Sequence, residues 1–351
     1  MKKVLAIVLA LAMVFCFAAC GEKKQEEAKK DENALESNLV LYSTMTEGDV
    51  NALIECFNEV YPDVEVEVVS GTIGETTSRI RAEAADPQGD CVWGGFMDSD
   101  GDMYKDIFDT TWISKYENEK SQYPSPNGYY NMDHLSTICF CVNTNLEKEL
   151  GLSITSYEDL LDPKLKGKIV FSDPNSSSAA WNNLCNIMSV YGVDTDAAWD
   201  YIQKLMPQLV VVNSSSVCFK GPMDGEYVVG LTYEDGAIKK IQEGATWLDV
   251  RYPDEGASAS ACGCGIIAGA KHPNAAKALI DFVNSAEGQT ALSAKLQGTC
   301  RYTNDNYKLS SGALLKDSKD IKWVERPVKE LAEKKADIIA KWNDFYAKVA
   351  K

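Results

Sequence analysis

Residues 38 to 95 read NLVLYSTMTEGDVNALIECFNEVYPDVEVEVVSGTIGETTSRIRAEAADPQGDCVWGG, and their periodicity decides the fold. NLVLYST is a compact apolar strand. From about Asp49 to Val60, Leu53, Ile54 and Phe57 recur at helical spacing, which predicts a helix with one buried side. VEVEVVSG alternates as a strand does, a second helix runs through Arg79, Ile80 and Ala84, and GDCVWGG gives a third strand ending in glycines. This βαβαβ pattern is that of an open parallel sheet with helices on both faces, in which ligands bind beyond the carboxyl ends of the strands. Those ends carry Ser43-Thr44, Gly71-Thr72-Ile73-Gly74 and Gly94-Gly95, hydroxyls and backbone N–H groups without formal charge. Each alone reads as an ordinary turn; together they predict a polar cradle.

A second α/β series begins near residue 137. STICFCVNTN and GKIVFSD read as strands, with helices near Ser156 to Leu161 and from about Asp196 to Met206. The turn Asp173-Pro174-Asn175 leads through Ser176, Ser177 and Ser178 into a helix over Ala179 to Met188. One Ser, Asn or Asp caps a helix, so three serines offer more hydroxyls than capping uses. Two readings stand: a well-capped surface helix, or an anion site where hydroxyls, free N–H groups and the helix dipole converge. QLVVVNSSSVCF repeats the device with Ser214, Ser215 and Ser216, and YVVGLT leads to Tyr233-Glu234-Asp235 at the head of another helix. A terminal helix carries Leu331, Ile338, Trp342, Phe345 and Val349 at apolar positions, and Pro327 suits its first turn.

The N-terminus bounds the compartment. Lys2 and Lys3 precede an apolar run from Val4 to Phe17 that is too short for a comfortable membrane span, the pattern of an export signal. FAAC resembles a bacterial lipobox, with residues 1–20 removed and Cys20 left to carry a lipid; Phe17 stands where Leu is usual. Residues 21–37 are charged and lack apolar periodicity, as a flexible tether does. Removing the signal takes two lysines and no acids, moving the formal net charge of -17 further negative. Such a body is a poor binder of nucleic acid or anionic lipid by general electrostatics. Of 11 cysteines, nine lie beyond Cys20, mostly in apolar segments where cysteine acts as a small hydrophobe. The pairs Cys139/Cys141 and Cys262/Cys264 have C-x-C spacing, unlike zinc modules, and only His134 and His272 could join them, so no metal is expected.

Residues 38 to 95, together with SDPNSSSAAW, GEYVVGLTYEDGA and HPNAAKALIDFVNSAEGQ, closely resemble extracellular solute-binding proteins of ABC importers. The likeness covers nearly everything from Asn38 onward and is greatest to the branch often labelled ferric-iron binding, which also contains phosphonate and sugar-phosphate binders. It implies a two-lobed α/β fold of the type II periplasmic-binding-protein kind, each lobe a mostly parallel sheet flanked by helices, joined by two hinge crossings. Residues 38–135 and 258–302 would form lobe one, and residues 136–257 and 303–351 lobe two. The implied protein is a monomer without cofactor or enzymatic activity, held outside the cytoplasmic membrane or in the periplasm and delivering its solute to an ABC permease.

Ferric binders of this kind place adjacent tyrosines near the second crossing, where GLTYEDGA offers Tyr233 alone; Tyr129 and Tyr130 precede the first crossing. The same positions suit a phosphate ester or phosphonate. Ser43, Thr44, Thr72 and Gly94 from lobe one and Ser176, Ser177, Ser178, Ser215 and Ser216 from lobe two would surround an oxyanion. Tyr233, Glu234 and Asp235 would meet the other end, the acids accepting from sugar hydroxyls or pairing with an amine. The acids also read as ordinary helix N-terminal residues. Alternatives are a polyamine binder, for which Trp93, Trp181 and Tyr233 could stack on a cation, and a ferric-iron binder. A secreted enzyme is less favoured, since no G-x-S-x-G elbow or His-rich motif occurs.

Overall fold

The first series folds as its periodicity dictates. In the computed structural model, β1 (Asn38–Ser43), α1 (Glu47–Val60), β2 (Glu65–Ser70), α2 (Ile73–Ala82) and β3 (Cys91–Met97) form a βαβαβ unit, with β1 pairing parallel to β2 and β3. Alternation makes the sheet two-faced: Leu39 and Leu41 join Leu53 and Phe57 of α1 in one core, and Tyr42 joins Ile80 of α2 in the other. Helix α1 starts at Glu47 because Thr46 caps it, accepting from the Asp49 N–H. The structure describes residues 34–100 and 102–349. The expected export signal, Cys20 and most of the tether lie outside them. From Glu36 onward the chain forms one compact unit.

β4 (Asn131–Asn143) leads into α3 (Thr144–Leu150), β5 (Ile169–Ser172), α4 (Ser178–Tyr191), α5 (Asp196–Leu205) and β6 (Leu209–Val212). Next come α6 (Val217–Asp224), β7 (Val229–Tyr233), α7 (Glu234–Gln242), β8 (Leu248–Arg251) and β9 (Ala259–Ile266). α8 (Pro273–Asn284), α9 (Ala286–Lys295), β10 (Arg301–Tyr302) and α10 (Val328–Val349) complete the order. The helix expected near Ser156 is only a 3-10 turn, Asp159–Leu161. The Asp159 carboxylate draws in the N–H groups of Thr155 and Ser156, and Pro163 stops continuation.

β4 belongs to both sheets. Residues 131 to 137 pair antiparallel with β9, and residues 138 to 143 pair antiparallel with β7 and β8. One sheet therefore runs β2-β1-β3-β9-β4-β10 and the other β8-β4-β7-β5-β6. Each has three parallel strands on its outer side and antiparallel pairs at β4, so both are mixed. The fold is the type II periplasmic-binding-protein arrangement, two sheets joined at a hinge.

The second sheet is packed on one face by Trp181, Leu184, Trp199 and Trp342 against Phe140 and Phe171. On the other face Ile138, Cys139 and Cys141 meet Phe219 and Ala237. Helix α10 buries Leu331, Ile338 and Trp342 in the first of these cores, while Val349 at its end is exposed. Residues 303 to 313 still lie against the first sheet's helices, through Asn304 to Asn284 and Ser310 to Ser293, before Ile321 joins the second sheet's core. All nine described cysteines are buried and unpaired. Burial pushes the Cys141, Cys185 and Cys218 thiols up to about 12, which makes them inert. Among the described residues, no helix is long and apolar enough to cross a membrane.

Helix α6 presses on β7 at Gly230, where a Cβ would lie 1.6 Å from the Cys218 carbonyl oxygen. Backbone cannot yield there as a side-chain tip can. Gly230→Ala should lower unfolding stability by about 2–3 kcal/mol, read as a reduced urea midpoint at constant slope. An unchanged midpoint would contradict this packing.

Candidate ligand-binding cleft

The carboxyl ends of the parallel strands from both sheets converge on one cavity of about 420 Å³, within the range of small-molecule sites. β1 brings Thr44, Met45 and Thr46; β2 is followed by Thr72 and Ile73; β3 contributes Gly95. From the other sheet come Ser176, Ser177 and Ser178 after β5, Asn213, Ser214 and Ser215 after β6, and Tyr233 and Asp235 after β7. The hinge strands supply the floor, with His134 and Ser136 of β4 and Cys262 of β9.

The hydroxyls divide into those already engaged and those left to a ligand. Ser177 is the cap of α4: its Oγ accepts from the Ala180 N–H and from the Ser172 hydroxyl at 2.9 Å. Thr72 is held in a capping box with Glu75. Thr46 donates to Asp49 at 2.6 Å. Ser215 bonds the Tyr233 hydroxyl, which burial raises well above the ordinary tyrosine value. Ser176, Ser178 and Thr44 line the cavity with no side-chain bond to the described residues.

Four anticipated residues lie outside the lining. Ser43 is buried, donating to the Trp93 carbonyl and accepting from the Met45 N–H, and so ties β1 to β3. Ser216 pairs with Ser214. Gly94, with Gly95, has positive φ and shapes the wall: a Cβ on Gly94 would meet the Met45 sulfur at 2.5 Å. Glu234 is buried behind the cleft, taking Arg301 Nε at 2.8 Å and the Tyr252 hydroxyl. Successive helix residues point about 100° apart, so at the head of α7 only Asp235 reaches the cavity.

Sequence reading missed the cleft's charge. His134 Nδ1 lies 2.8 Å from Asp133, whose carboxylate also accepts from Trp93 Nε1. Burial pulls the imidazole down, but Asp133, with the Cys262 thiol on the cleft side, overrides it and raises His134 above the ordinary histidine value. The available signal was an Asp-His pair, containing one of only two histidines, just before the apolar part of β4. Asp49, in the first turn of α1, lines the cavity and pairs with Lys239 of α7 at 2.5 Å, joining the lobes across the cleft. Lys335 to Asp100 at 2.9 Å and Trp181 Nε1 to Ser99 at 3.3 Å make further cross-lobe bonds. Asp235 has no side-chain partner among the described residues. Burial raises it to about 6, with Lys239 pulling back and Asp49 pushing further up.

Residues 52–313 match the family model of the bacterial extracellular solute-binding protein. The chain belongs to that family. This solute-binding protein is therefore extracytoplasmic, and its relatives are transport proteins rather than enzymes. It is similar in structure to the periplasmic binding protein AfuA from Actinobacillus pleuropneumoniae with exogenous fructose-6-phosphate bound. That match has a TM-score of 0.78 and 26% identity, covering 89% of this chain and 99% of the other. An uncharacterized protein of Haemophilus influenzae is 27% identical over 260 residues, 72% of this chain and 74% of that one. The spermidine/putrescine-binding periplasmic protein of Escherichia coli is 30% identical over 136 residues, 37% of this chain and 38% of that protein.

The Asp235 shift sets a pH dependence for the solute-binding protein without ligand. Between 3.8, its ordinary value, and about 6, the folded state keeps a proton that the unfolded chain releases. Stability therefore falls as pH rises through that window, and above it the full penalty, up to about 3 kcal/mol, persists. Asp235→Asn should stabilise the unliganded protein above about pH 6, by on the order of 2 kcal/mol, and leave it unchanged near pH 4. Denaturation midpoints that are equal for both proteins at neutral pH would contradict this.

Proposed function

We propose that the cleft captures a small phosphorylated or phosphonylated metabolite, such as a sugar phosphate or an aminoalkylphosphonate, and that the protein hands it to the membrane permease of an ABC importer. The reading is carried by the unengaged hydroxyls of Ser176 and Ser178 at the head of the 14-residue α4, in a cavity floored by His134. Neutral donors and a helix dipole favour an oxyanion there despite the chain's net charge of -17. Thr44 supplies a further donor. Tyr233 and the unpaired Asp235 meet the hydroxyls or amine at the ligand's other end. The likeness to AfuA, solved with a sugar phosphate bound, supports this assignment.

Residues 38–135 with 258–302 act as one closing lobe, to which residues 303–313 also pack, and 136–257 with the remainder of 303–351 as the other, in a monomer tethered by lipid on Cys20. Binding to both lobes at once stabilises the closed form. A polyamine would have to compete with Lys239 for Asp49. A ferric ion would find Tyr233 as the one tyrosine of the lining; Tyr129 and Tyr130 donate to Asp102 and to the Met97 carbonyl.

Thermal denaturation against hexose 6-phosphates, glycerol phosphates, 2-aminoethylphosphonate, inorganic phosphate, spermidine and ferric citrate tests the proposal. A ligand at a hundredfold its Kd adds about 2.7 kcal/mol. The expected result is a shift with an organophosphorus compound that Ser178→Ala reduces sharply. Ser177→Ala instead lowers the stability of the unliganded protein by about 1 kcal/mol, and with it the midpoint, because it removes a cap. A shift with spermidine or iron alone would refute the reading.

A further inference from the structure

A second and larger cavity, of about 960 Å³, lies on the opposite face of the hinge strands. In the β4–β9 pairing His134 sits opposite Cys262, and Leu135 opposite Ala261. Alternation therefore sends His134, Ser136 and Cys262 to the ligand-binding cleft, and Ala259 and Ala261 to the face behind it. Nothing in the proposed function uses this rear cavity.

Its lining contains a cation with one edge unused. Arg326 donates through Nη1 to Asn182, but its Nε and Nη2 are buried and have no partner. Those two nitrogens form the side-on edge of the guanidinium, the edge that takes both oxygens of a carboxylate. The protein makes that contact elsewhere: Arg81 grips Asp106 with Nε at 2.7 Å and Nη2 at 3.1 Å. Two acids of the lining are engaged otherwise: Asp98 accepts from the Ser260 hydroxyl and the Ala261 N–H, and Asp305 from the Ser121 hydroxyl and N–H. The third, Glu325, is exposed beside Arg326 in the chain and makes no side-chain bond to the described residues. Each nitrogen of Arg301, in the same lining, has a partner, in Glu234, Ser318 and the Lys316 carbonyl. Ser258 adds a second orphan, a buried hydroxyl without a partner.

We infer that the rear cavity is a second ligand site, taking a small free carboxylate side-on to the Nε–Nη2 edge of Arg326, with the Ser258 hydroxyl as a further donor. Buried donors left unpaired are costly, and a bidentate anion satisfies the guanidinium edge in one step. Arg326 follows residues 322–324, which are tied to Ala257 by backbone hydrogen bonds, so the guanidinium is presented from a pinned segment. The site reports to the front cleft through one hydrogen-bond chain. Asn182, held by Arg326, donates to the Ser136 carbonyl at 2.6 Å and to its hydroxyl at 3.3 Å, and Ser136 lines the front cavity.

The chain has five arginines, Arg79, Arg81, Arg251, Arg301 and Arg326, so their Nε–H signals can be followed singly by NMR in the intact protein. Titration with succinate, citrate and acetate should move the Arg326 signal saturably and leave that of Arg81, already paired, in place. Arg326→Lys should abolish the saturable response. Ser258→Ala should weaken it severalfold, and Ser178→Ala, in the front cleft, should leave it unchanged. The inference is overturned if no carboxylate gives a saturable shift, if all five signals move together with ionic strength, or if only sulfate or phosphate binds.

Discussion

The backbone hydrogen bonds of β4 are the constraint on which the rest depends. Thirteen residues of one strand are shared between two sheets, so the sheets cannot separate without breaking a ladder. Near Thr137 the partner changes from β9 to β7 and β8, which marks the crossing between the sheets. Because parallel strands on either side of β4 end toward the same space, their serine- and threonine-bearing loops face a common cavity. Side-chain bonds across that cavity, such as Asp49 to Lys239, hold one setting of the hinge and are of the kind that a motion can exchange.

For the proposed anion, a chain of net charge -17 needs a local source of favourable field. Hydroxyls and a helix N-terminus supply it without formal charge. Asp133 is anchored by Trp93, so the His134 ring it holds is fixed in the floor. Asp235 supplies the opposite polarity, held at a cost that a hydroxyl or amine of the ligand would relieve. Burial of an unpaired carboxylate beside Asp49 makes little sense for stability alone and good sense for recognition.

Much of this was legible in the sequence. The βαβαβ unit followed from alternation and helical spacing, and the capping of α4 by Ser177 follows from residue type. The excess serines, 176 and 178, line the cavity. Glu234 was not separable from Asp235 by composition, because helix phase at a terminus depends on where the strand before it stops. Ser43 and Ser216 looked like site residues since a hydroxyl at a strand end serves backbone and ligand equally well. His134 was passed over because its strand begins five residues before the apolar alternation becomes plain. Its raised basicity comes from a neighbour whose burial no local pattern reveals.

The central claim is that an oxyanion sits among Ser176, Ser178, Thr44 and His134. A crystal structure of the protein with fructose 6-phosphate tests it most directly. Phosphate density is expected within hydrogen-bond reach of the Ser176 or Ser178 hydroxyl and the His134 ring, with the sugar toward Asp235. Phosphate density anywhere else in the cleft, or a sugar bound in the reverse sense, would contradict it.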